Sequence, residues 1–256
     1  MKIISYNVNG IRAAMRKDWL TWLATEAPDV ICLQEIKATP DQLPLELALI
    51  EQLGYQHYWY PAEKKGYSGT AILTRHNPVH VEYGCGHEDY DKEARMIRAD
   101  FESFSVMSAY FPSGTTGDLR QGFKYKFLED FQNYATQLRQ EKPKLVVSGD
   151  YNICHRAIDI HNPKSNANSS GFLPAEREWM ENFIESGFTD SFRHLNPDPH
   201  HYSWWSFRAN SRAKNLGWRI DYNMVSSALA PQIVGAHLLP NVVHSDHCPV
   251  VLQLDV

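Results

Sequence analysis

Residues 144–152 read Lys144-Leu145-Val146-Val147-Ser148-Gly149-Asp150-Tyr151-Asn152. The apolar part of this stretch has the length of a buried strand, and it ends abruptly in an Asp and an Asn. Strand ends in an α/β protein are places where polar side chains converge on a shared site. Gly, Asp and Asn are also common turn formers, so this stretch alone leaves a plain turn and a reactive site equally open.

Three other apolar runs carry the same signal. The first strand-like run of the chain ends at Asn7, and a second one ends at Glu35. The closing run reverses the order, because Asp246 and His247 come just before it. A cluster of carboxylates, amides and one histidine is what metal-assisted attack on a phosphodiester needs. The combination therefore favours the reactive site over the plain turn.

Strand and helix patterns alternate along the chain, and strands are in the majority. Predicted strands cover Ile3–Tyr6, Asp29–Leu33, Gln56–Tyr60, Thr70–Leu73, Met96–Phe101, Ser105–Tyr110, Lys144–Val147, Ile220–Val225, Val234–Leu238 and Val250–Leu254. Predicted helices cover Asp18–Leu23, Leu43–Leu53, the stripe from Phe123 to Leu138, and Glu176–Ile184. This order predicts an α/β (α+β) fold in which two mixed β-sheets pack face to face and are flanked by helices. No linker or repeat interrupts it, so residues 1–256 are expected to form a single domain.

Composition narrows the class of protein. A hydrophobic content of 43% excludes a disordered chain. The net charge of -5 argues mildly against a polyanionic partner, but carboxylates that hold a metal are counted in it as full negative charges. The four cysteines lack zinc or disulfide spacing and indicate free thiols in a reducing compartment. No leader and no apolar run of membrane length is present, so a cytoplasmic protein without a membrane partner is expected.

The candidate residues differ in chemistry. Oxygen atoms of Glu35 and Asn7 form a hard-ligand set that suits Mg²⁺ or Mn²⁺ better than zinc. Taken alone, a Glu after a strand is more often a solvated loop acid. His247, oriented by a remote acid such as Asp221, is suited to hold a phosphoryl oxygen. Ser-His-Asp acyl chemistry is the weaker alternative, because the chain has no G-x-S-x-G motif.

Together the motifs form a specific set with a known order and spacing. The set resembles the exonuclease III family of abasic-site (AP) endonucleases, which belongs to the superfamily that includes deoxyribonuclease I. The resemblance covers essentially the whole chain, and the run Lys214–Tyr222 is similar to the mammalian-type branch. The residues that carry it are Asn7, Glu35, Tyr110, Asp150, Asn152, Asp221, Asp246 and His247.

The resemblance implies a four-layered sandwich and Mg²⁺-dependent cleavage of DNA 5′ to an abasic site, leaving a 3′-hydroxyl. Mn²⁺ is expected to substitute, and 3′–5′ exonuclease and 3′-phosphodiesterase or phosphatase side activities are expected. The implied partner is double-stranded DNA with abasic sites or blocked 3′ ends, bound by a monomer.

Roles for individual residues also follow from the resemblance. Asp150 would orient the attacking water, and Asp221 would support His247. The implied catalytic residues are Tyr110, Asp150, Asn152, Asp221, Asp246 and His247. The implied metal ligands are Asn7, Glu35, Asp150, Asn152, Asp246 and His247. The implied substrate contacts are Arg12, Lys37, Tyr67, Asn166, Trp204, Arg212, Trp218 and Ile220, of which Trp204, Trp218 and Ile220 would wall a pocket for the abasic sugar.

The sequence departs from family relatives at Asn9, Ser169, Trp204 and Arg208. Trp204 is larger than the Phe of the mammalian-type branch, so a tighter pocket is expected. Two other functions stay open at this stage: a phosphoesterase acting on inositol phosphates or sphingomyelin, and a catalytically silent nucleic-acid-binding module. The concentrated acids argue against the second, since a pure binder gains nothing from negative charge beside phosphates.

Overall fold

The computed structural model describes residues 1–256, and its strands form two six-stranded sheets. The strands are β1 (Lys2–Asn7), β2 (Val30–Gln34), β3 (Gln56–Tyr60), β4 (Thr70–Thr74), β5 (His80–Tyr83), β6 (Met96–Asp100), β7 (Ser105–Tyr110), β8 (Leu145–Asp150), β9 (Phe188–Asp190), β10 (Asp221–Ser226), β11 (Ile233–Leu238) and β12 (Val250–Leu254). The helices are α1 (Ile11–Met15), α2 (Trp19–Glu26), α3 (Pro44–Gln52), α4 (Glu88–Asp91), α5 (Asp118–Glu141), α6 (Pro174–Glu185) and α7 (Ser191–Leu195). Single 3-10 turns lie at Pro40–Gln42, Ala157–Asp159, Arg208–Asn210 and Ala230–Gln232.

The two sheets share one plan. The strand order is β11-β12-β1-β2-β4-β3 in the first sheet and β5-β6-β7-β8-β10-β9 in the second. The central pair of each sheet, β1 with β2 and β7 with β8, is parallel, and every other pairing is antiparallel. Both sheets are therefore mixed, as predicted from the alternation of patterns.

Three hydrophobic layers hold these elements together. Side chains of β2 and β4 from the first sheet pack on side chains of β6, β7 and β8 from the second. Helices α1, α2 and α3 cover the outer face of the first sheet, while α5 and α6 cover that of the second. The result is the expected four-layered sandwich. The core between the sheets is the reason to propose that residues 1–256 fold as one domain.

Close packing between two strands accounts for the glycine at position 149. From its residue type, Gly149 was a candidate for a turn after the strand. In the structure a Cβ at this position would lie 2.0 Å from the carbonyl oxygen of Ala109 on the neighbouring strand β7. Gly149 thus permits the parallel contact between β7 and β8, and strand β8 continues to Asp150 rather than stopping at Val147.

None of the helices combines the length and the apolar character that crossing a lipid bilayer requires. The longest, α5, has 24 residues and carries charged and amide side chains on its outer face.

Candidate active site

Strand ends from both sheets meet at one edge of the sandwich. Asn7 is the last residue of β1, and Glu35 follows β2 directly. In the second sheet Asp150 pairs with Tyr110 on parallel β7 and with Asp221 on antiparallel β10. Because β7 and β8 end where β10 begins, three predicted catalytic side chains are neighbours across the sheet.

Asn7 links the two sheets at this edge. Its Nδ2 donates to Glu35 Oε1 at 2.9 Å and to Asp150 Oδ2 at 2.8 Å. Its Oδ1 accepts the backbone N–H of Asn9 at 2.9 Å. The amide oxygen expected to ligate a metal is therefore directed away from the carboxylates, and Asn7 acts as a bridge between Glu35 and Asp150.

His247 is held by an acid, as the motifs predicted. Its Nδ1 lies 2.9 Å and 3.1 Å from the two carboxylate oxygens of Asp221, which also accepts from Ser203 Oγ at 2.6 Å. The other ring nitrogen, Nε2, lies 4.0 Å from Asp150 Oδ2. Burial opposes protonation, but the negative charge of Asp221 outweighs it and raises the pKa of His247 to about 10. This shift favours the imidazolium form, in which Nε2 carries an N–H that faces the cleft.

The pKa values of the neighbouring carboxyl groups of Asp150 and Glu35 are shifted in opposite directions. Burial, and next the nearby charge of Asp221, raise the pKa of Asp150 to about 8. Burial also acts on Glu35, but there the ammonium of Lys37, 2.8 Å away, and the hydrogen bond from Asn7 outweigh it and lower the pKa. Separation of two neighbouring carboxyl pKa values in this manner is typical of acid–base sites.

A divalent cation fits part of the expected ligand set. Glu35, Asp150 and His247 each offer one ligand atom, and these atoms lie within 4.8 Å of one another. Carboxylate oxygens are the hard donors that Mg²⁺ and Mn²⁺ prefer, whereas a protonated imidazole has no free lone pair to offer a metal. Of these three residues, Glu35 and Asp150 are thus the better candidates to hold such a cation.

The other expected ligands are engaged elsewhere. Asp246 accepts from Asn9 Nδ2 at 2.9 Å and from the indole Nε1 of Trp204 at 3.0 Å. Asn152 donates its Nδ2 to the carbonyl of Phe111 at 3.0 Å. These hydrogen bonds fix both side chains beside the cluster, where they line the cleft.

Left-handed backbone marks the loops after the strands. Asn9, Glu35 and Asn152 have φ values of 44°, 49° and 52°. Such values are uncommon for residues other than glycine and persist where the surrounding structure enforces them. The hydrogen bonds of Asn7 and Asp150 to these loops supply that enforcement.

A cleft of about 800 Å³ opens above the cluster, and its far wall is aromatic. Trp204 and Trp218 meet edge to face, with ring centroids 6.1 Å apart and an interplanar angle of 88°. Both pack on a small buried group that contains Ile220 and Phe172. All three predicted pocket residues therefore line the cleft that contains the acids and His247.

The remaining predicted substrate contacts divide into two groups. Arg12, Lys37 and Tyr67 line a separate groove of about 400 Å³, together with Lys64 and Lys65. This groove adjoins the site because Lys37 reaches Glu35. It provides a local basic surface despite the negative net charge of the chain.

Asn166 and Arg212 lie outside both the cleft and the basic groove. The amide of Asn166 donates to the carbonyl of Asn162 at 3.0 Å and stabilises its own loop, while Asn168 and Ser169 line the cleft. The guanidinium of Arg212 donates to the carbonyls of Ser245, Pro240 and Val242 at 2.8, 2.9 and 2.6 Å. The geometry of Arg212 is that of a loop anchor and does not support the predicted phosphate contact.

Two buried charges near the cleft were missed by sequence reasoning. Lys124 on α5 and Glu176 on α6 are fully buried and paired. A signal was present, because Lys124 lies three and seven residues before Phe127 and Phe131, on the apolar face of the helix. A lysine within such a stripe indicates a buried partner.

Comparison with known proteins agrees with this geometry. Residues 4–247 match the endonuclease/exonuclease/phosphatase family. The chain belongs to this family. It is 46% identical over 258 residues to an exodeoxyribonuclease of Bacillus subtilis, and all of both chains is covered. It is 42% identical over 257 residues to the DNA repair nuclease APEX1 of Danio rerio, covering 100% of this chain and 83% of that protein.

The fold has a solved counterpart of full length. An AP endonuclease from Archaeoglobus fulgidus superposes with a TM-score of 0.91 at 29% identity, and all of both chains is covered. The family resemblance and the fold inferred from the sequence are thus confirmed.

Proposed function

We propose that the chain is a DNA repair nuclease that hydrolyses the phosphodiester 5′ to an abasic site and leaves a 3′-hydroxyl. 3′–5′ exonuclease and 3′-phosphatase or phosphodiesterase activities on blocked ends accompany it. The observation that carries the proposal is that one cleft is lined by Asp150, by His247 with its buried partner Asp221 behind it, and by the Trp204–Trp218 pair. The names of the related nucleases support the same activity.

Each side chain of the cluster has its own role in the proposed reaction. Asp150 would be ionised once a bound cation lowers its raised pKa, and in that state it orients the water and takes up its proton. His247 donates from Nε2 to a non-bridging phosphate oxygen, where its positive charge stabilises the added negative charge of the transition state. Asp221 keeps His247 protonated and oriented. Tyr110 and Asn152, which line the same cleft, contact the phosphate.

A divalent cation belongs to this proposal. Mg²⁺, with Mn²⁺ as a substitute, would be held by Glu35 and Asp150, where it supplies positive charge to the scissile phosphate and lowers the pKa of the neighbouring acid. Lys37 keeps Glu35 ionised, which is the state that holds a cation.

Selectivity for abasic sites arises from the shape of the pocket. The indole rings of Trp204 and Trp218 stand perpendicular to each other beside the catalytic cluster. A sugar without a base packs against the wall that these rings form, while an intact nucleotide is excluded by its size. The basic groove at Arg12 and Lys64 binds the backbone of the same duplex, and a monomer suffices because both surfaces belong to one chain.

A substrate panel tests the proposal. The full chain is incubated with a duplex containing one abasic site, with the matched intact duplex and with inositol trisphosphate, each with Mg²⁺ and with excess chelator. We expect internal cleavage of the abasic duplex alone, and only with the metal, with a product that a polymerase extends from its 3′ end; the exonuclease activity shortens either duplex only from its 3′ ends. Asp150→Asn serves as the inactive control. Hydrolysis of inositol trisphosphate, or cleavage of both duplexes at equal rates, would contradict the proposal.

A further inference from the structure

A buried ion pair lies behind the cleft. Lys124 Nζ and Glu176 Oε1 are 2.5 Å apart, and the side chains of both residues are 0% exposed. Neither residue lines the cleft. Burial of two charges costs several kcal/mol per ion unless hydrogen bonds complete their shells, and both members of this pair make further hydrogen bonds.

The lysine reaches a catalytic loop. Its Nζ donates to the backbone carbonyl of Asn152 at 2.8 Å. Asn152 has a φ of 52°, a backbone conformation that side-chain-bearing residues rarely adopt. The same residue presents its amide between Asp150 and the carbonyl of Phe111. Lys124 therefore fixes a strained turn directly after the predicted water-activating acid.

The glutamate holds the opposite wall of the cleft. Its Oε2 accepts the backbone N–H groups of Gly171 and Leu173 at 2.6 and 3.0 Å. Gly171 has a φ of 93°, and a Cβ there would lie 3.1 Å from the Trp218 ring and 3.2 Å from the Asn152 carbonyl. The loop thus packs tightly between the pocket wall and the catalytic turn.

The pair also closes a chain of hydrogen bonds to the rim. Gln121 Nε2 donates to Glu176 Oε1 at 3.1 Å, and Gln121 Oε1 accepts from Ser170 Oγ at 2.7 Å. Both Gln121 and Ser170 line the cleft. One buried carboxylate is therefore connected to the rim, to the Trp218 wall and, through Lys124, to Asn152.

We propose that the Lys124–Glu176 pair is a positioning element that holds the catalytic Asn152 and the Trp218 wall at a fixed separation. This inference rests on the proposed function, since it assigns a reason for that separation: the scissile phosphate and the abasic sugar of one nucleotide must fit both at once. The pair touches no substrate and acts through Asn152, Gly171 and Ser170.

The test replaces both charges together. Removing only one would leave an uncompensated buried charge and endanger the fold. Lys124→Met/Glu176→Gln keeps the side-chain volumes and leaves an oxygen for Gly171 and Leu173, but it leaves the Asn152 carbonyl without its donor. The matched control is Arg98→Met/Asp100→Asn, which removes another buried ion pair, with a 2.9 Å contact, at the end of β6 remote from the cleft.

The expected result separates positioning from stability. Single-turnover cleavage of the abasic duplex should fall by about 10- to 100-fold in Lys124→Met/Glu176→Gln, while the half-saturating DNA concentration changes less than about threefold. The control variant should keep both values within about twofold of wild type, measured below the melting temperature of each protein. A cleavage rate equal to that of the control would overturn the proposal.

Amide hydrogen exchange gives a readout that needs no substrate. Segments 151–154 and 168–173 should exchange about tenfold faster in the double variant, with no change in the control. If the wild-type chain does not cleave abasic DNA, the proposed function fails, and the positioning role is then decided by exchange alone. Unchanged exchange in both segments would refute it.

Discussion

Arg219 and Asp221 are two positions apart and both buried, yet they belong to charged clusters of opposite character. Arg219 donates to Asp159 at 2.7 Å and to Asp190 at 2.7 Å, and Arg193 completes a group of two arginines and two aspartates. Asp221 faces His247 and lies in a group that also contains Asp150 and Glu35. The first cluster balances its charges, and the second has an excess of acids.

The pKa values follow from this difference. Burial disfavours the ionised form of Asp159, but the guanidinium of Arg219 outweighs it and the pKa falls to about 2. Burial acts in the same direction on Asp150, where the neighbouring acid reinforces it and the pKa rises to about 8. A buried charge by itself therefore does not indicate a functional site. A buried cluster that lacks internal compensation indicates a site that is completed by a ligand.

The largest expected effect comes from unbalancing the structural cluster. Asp159→Asn leaves Arg219 and Arg193 without their shared carboxylate, so the free energy of unfolding should fall by about 3 to 5 kcal/mol. Chemical denaturation at neutral pH measures it. Cleavage of abasic DNA well below the melting temperature should stay close to wild type, and a loss of catalysis without loss of stability would contradict the comparison.

In the proposed catalytic cluster we expect a loss of activity without a loss of stability. Asp150→Asn removes one of several neighbouring acids, so the free energy of unfolding should be unchanged or slightly higher. Single-turnover cleavage should fall by about 100-fold or more, because the group proposed to activate water is lost. Binding of the abasic duplex should survive or tighten, as a negative charge beside the phosphate is removed. Near-normal turnover would assign water activation to another residue.

Acid titration distinguishes the clusters through Asp159. Its folded-state pKa, about 2, lies below the ordinary value of 3.8, so its contribution to stability is complete above pH 3.8 and is lost as the pH falls through about 2. The lost contribution is about 2 kcal/mol. The stability difference between wild type and Asp159→Asn should therefore shrink by that amount between pH 5 and pH 2. A constant difference would show that the carboxylate is not ionised in the native state.

Much of the fold was predictable because it rests on local patterns. The strands Gln56–Tyr60, Ser105–Tyr110 and Val250–Leu254 have the bounds expected from their residues. The short strands His80–Tyr83 and Phe188–Asp190 were missed. The first is mostly exposed and the second has three residues, so neither carries a periodic apolar signal.

The candidate site was predictable where each side chain ends a strand, as Asp150 does. Side chains on loops were harder to assign, since a loop residue's direction depends on contacts distant in sequence. Asn166 stabilises its own loop, while Asn168, two positions later, lines the cleft. The Lys124–Glu176 pair spans 52 residues, and no local pattern encodes such a partnership.

The smallest expected effect is on the salt dependence of DNA binding by basic side chains at the surface. It depends on whether each side chain already has hydrogen-bond partners within the chain. The two terminal nitrogens of Arg212 donate to three carbonyls of the chain, whereas Arg12 is exposed beside Lys64 in the basic groove. Binding of an intact duplex is measured by fluorescence anisotropy over a range of salt concentrations. For Arg12→Ala and Lys64→Ala, the slope of log affinity against log salt should shrink by about 0.9 per lost phosphate contact.

Two variants of equal charge change provide the controls. Arg212→Ala should leave the slope unchanged, because both terminal nitrogens of its guanidinium already donate to carbonyls of the chain. Lys144→Ala should do the same, because Lys144 precedes β8 at the end of the sheet opposite Asp150. Equal slopes in all four variants would place the DNA backbone outside the groove. A reduced slope for Arg212→Ala alone would mean that this arginine exchanges its carbonyl partners for phosphate when DNA binds.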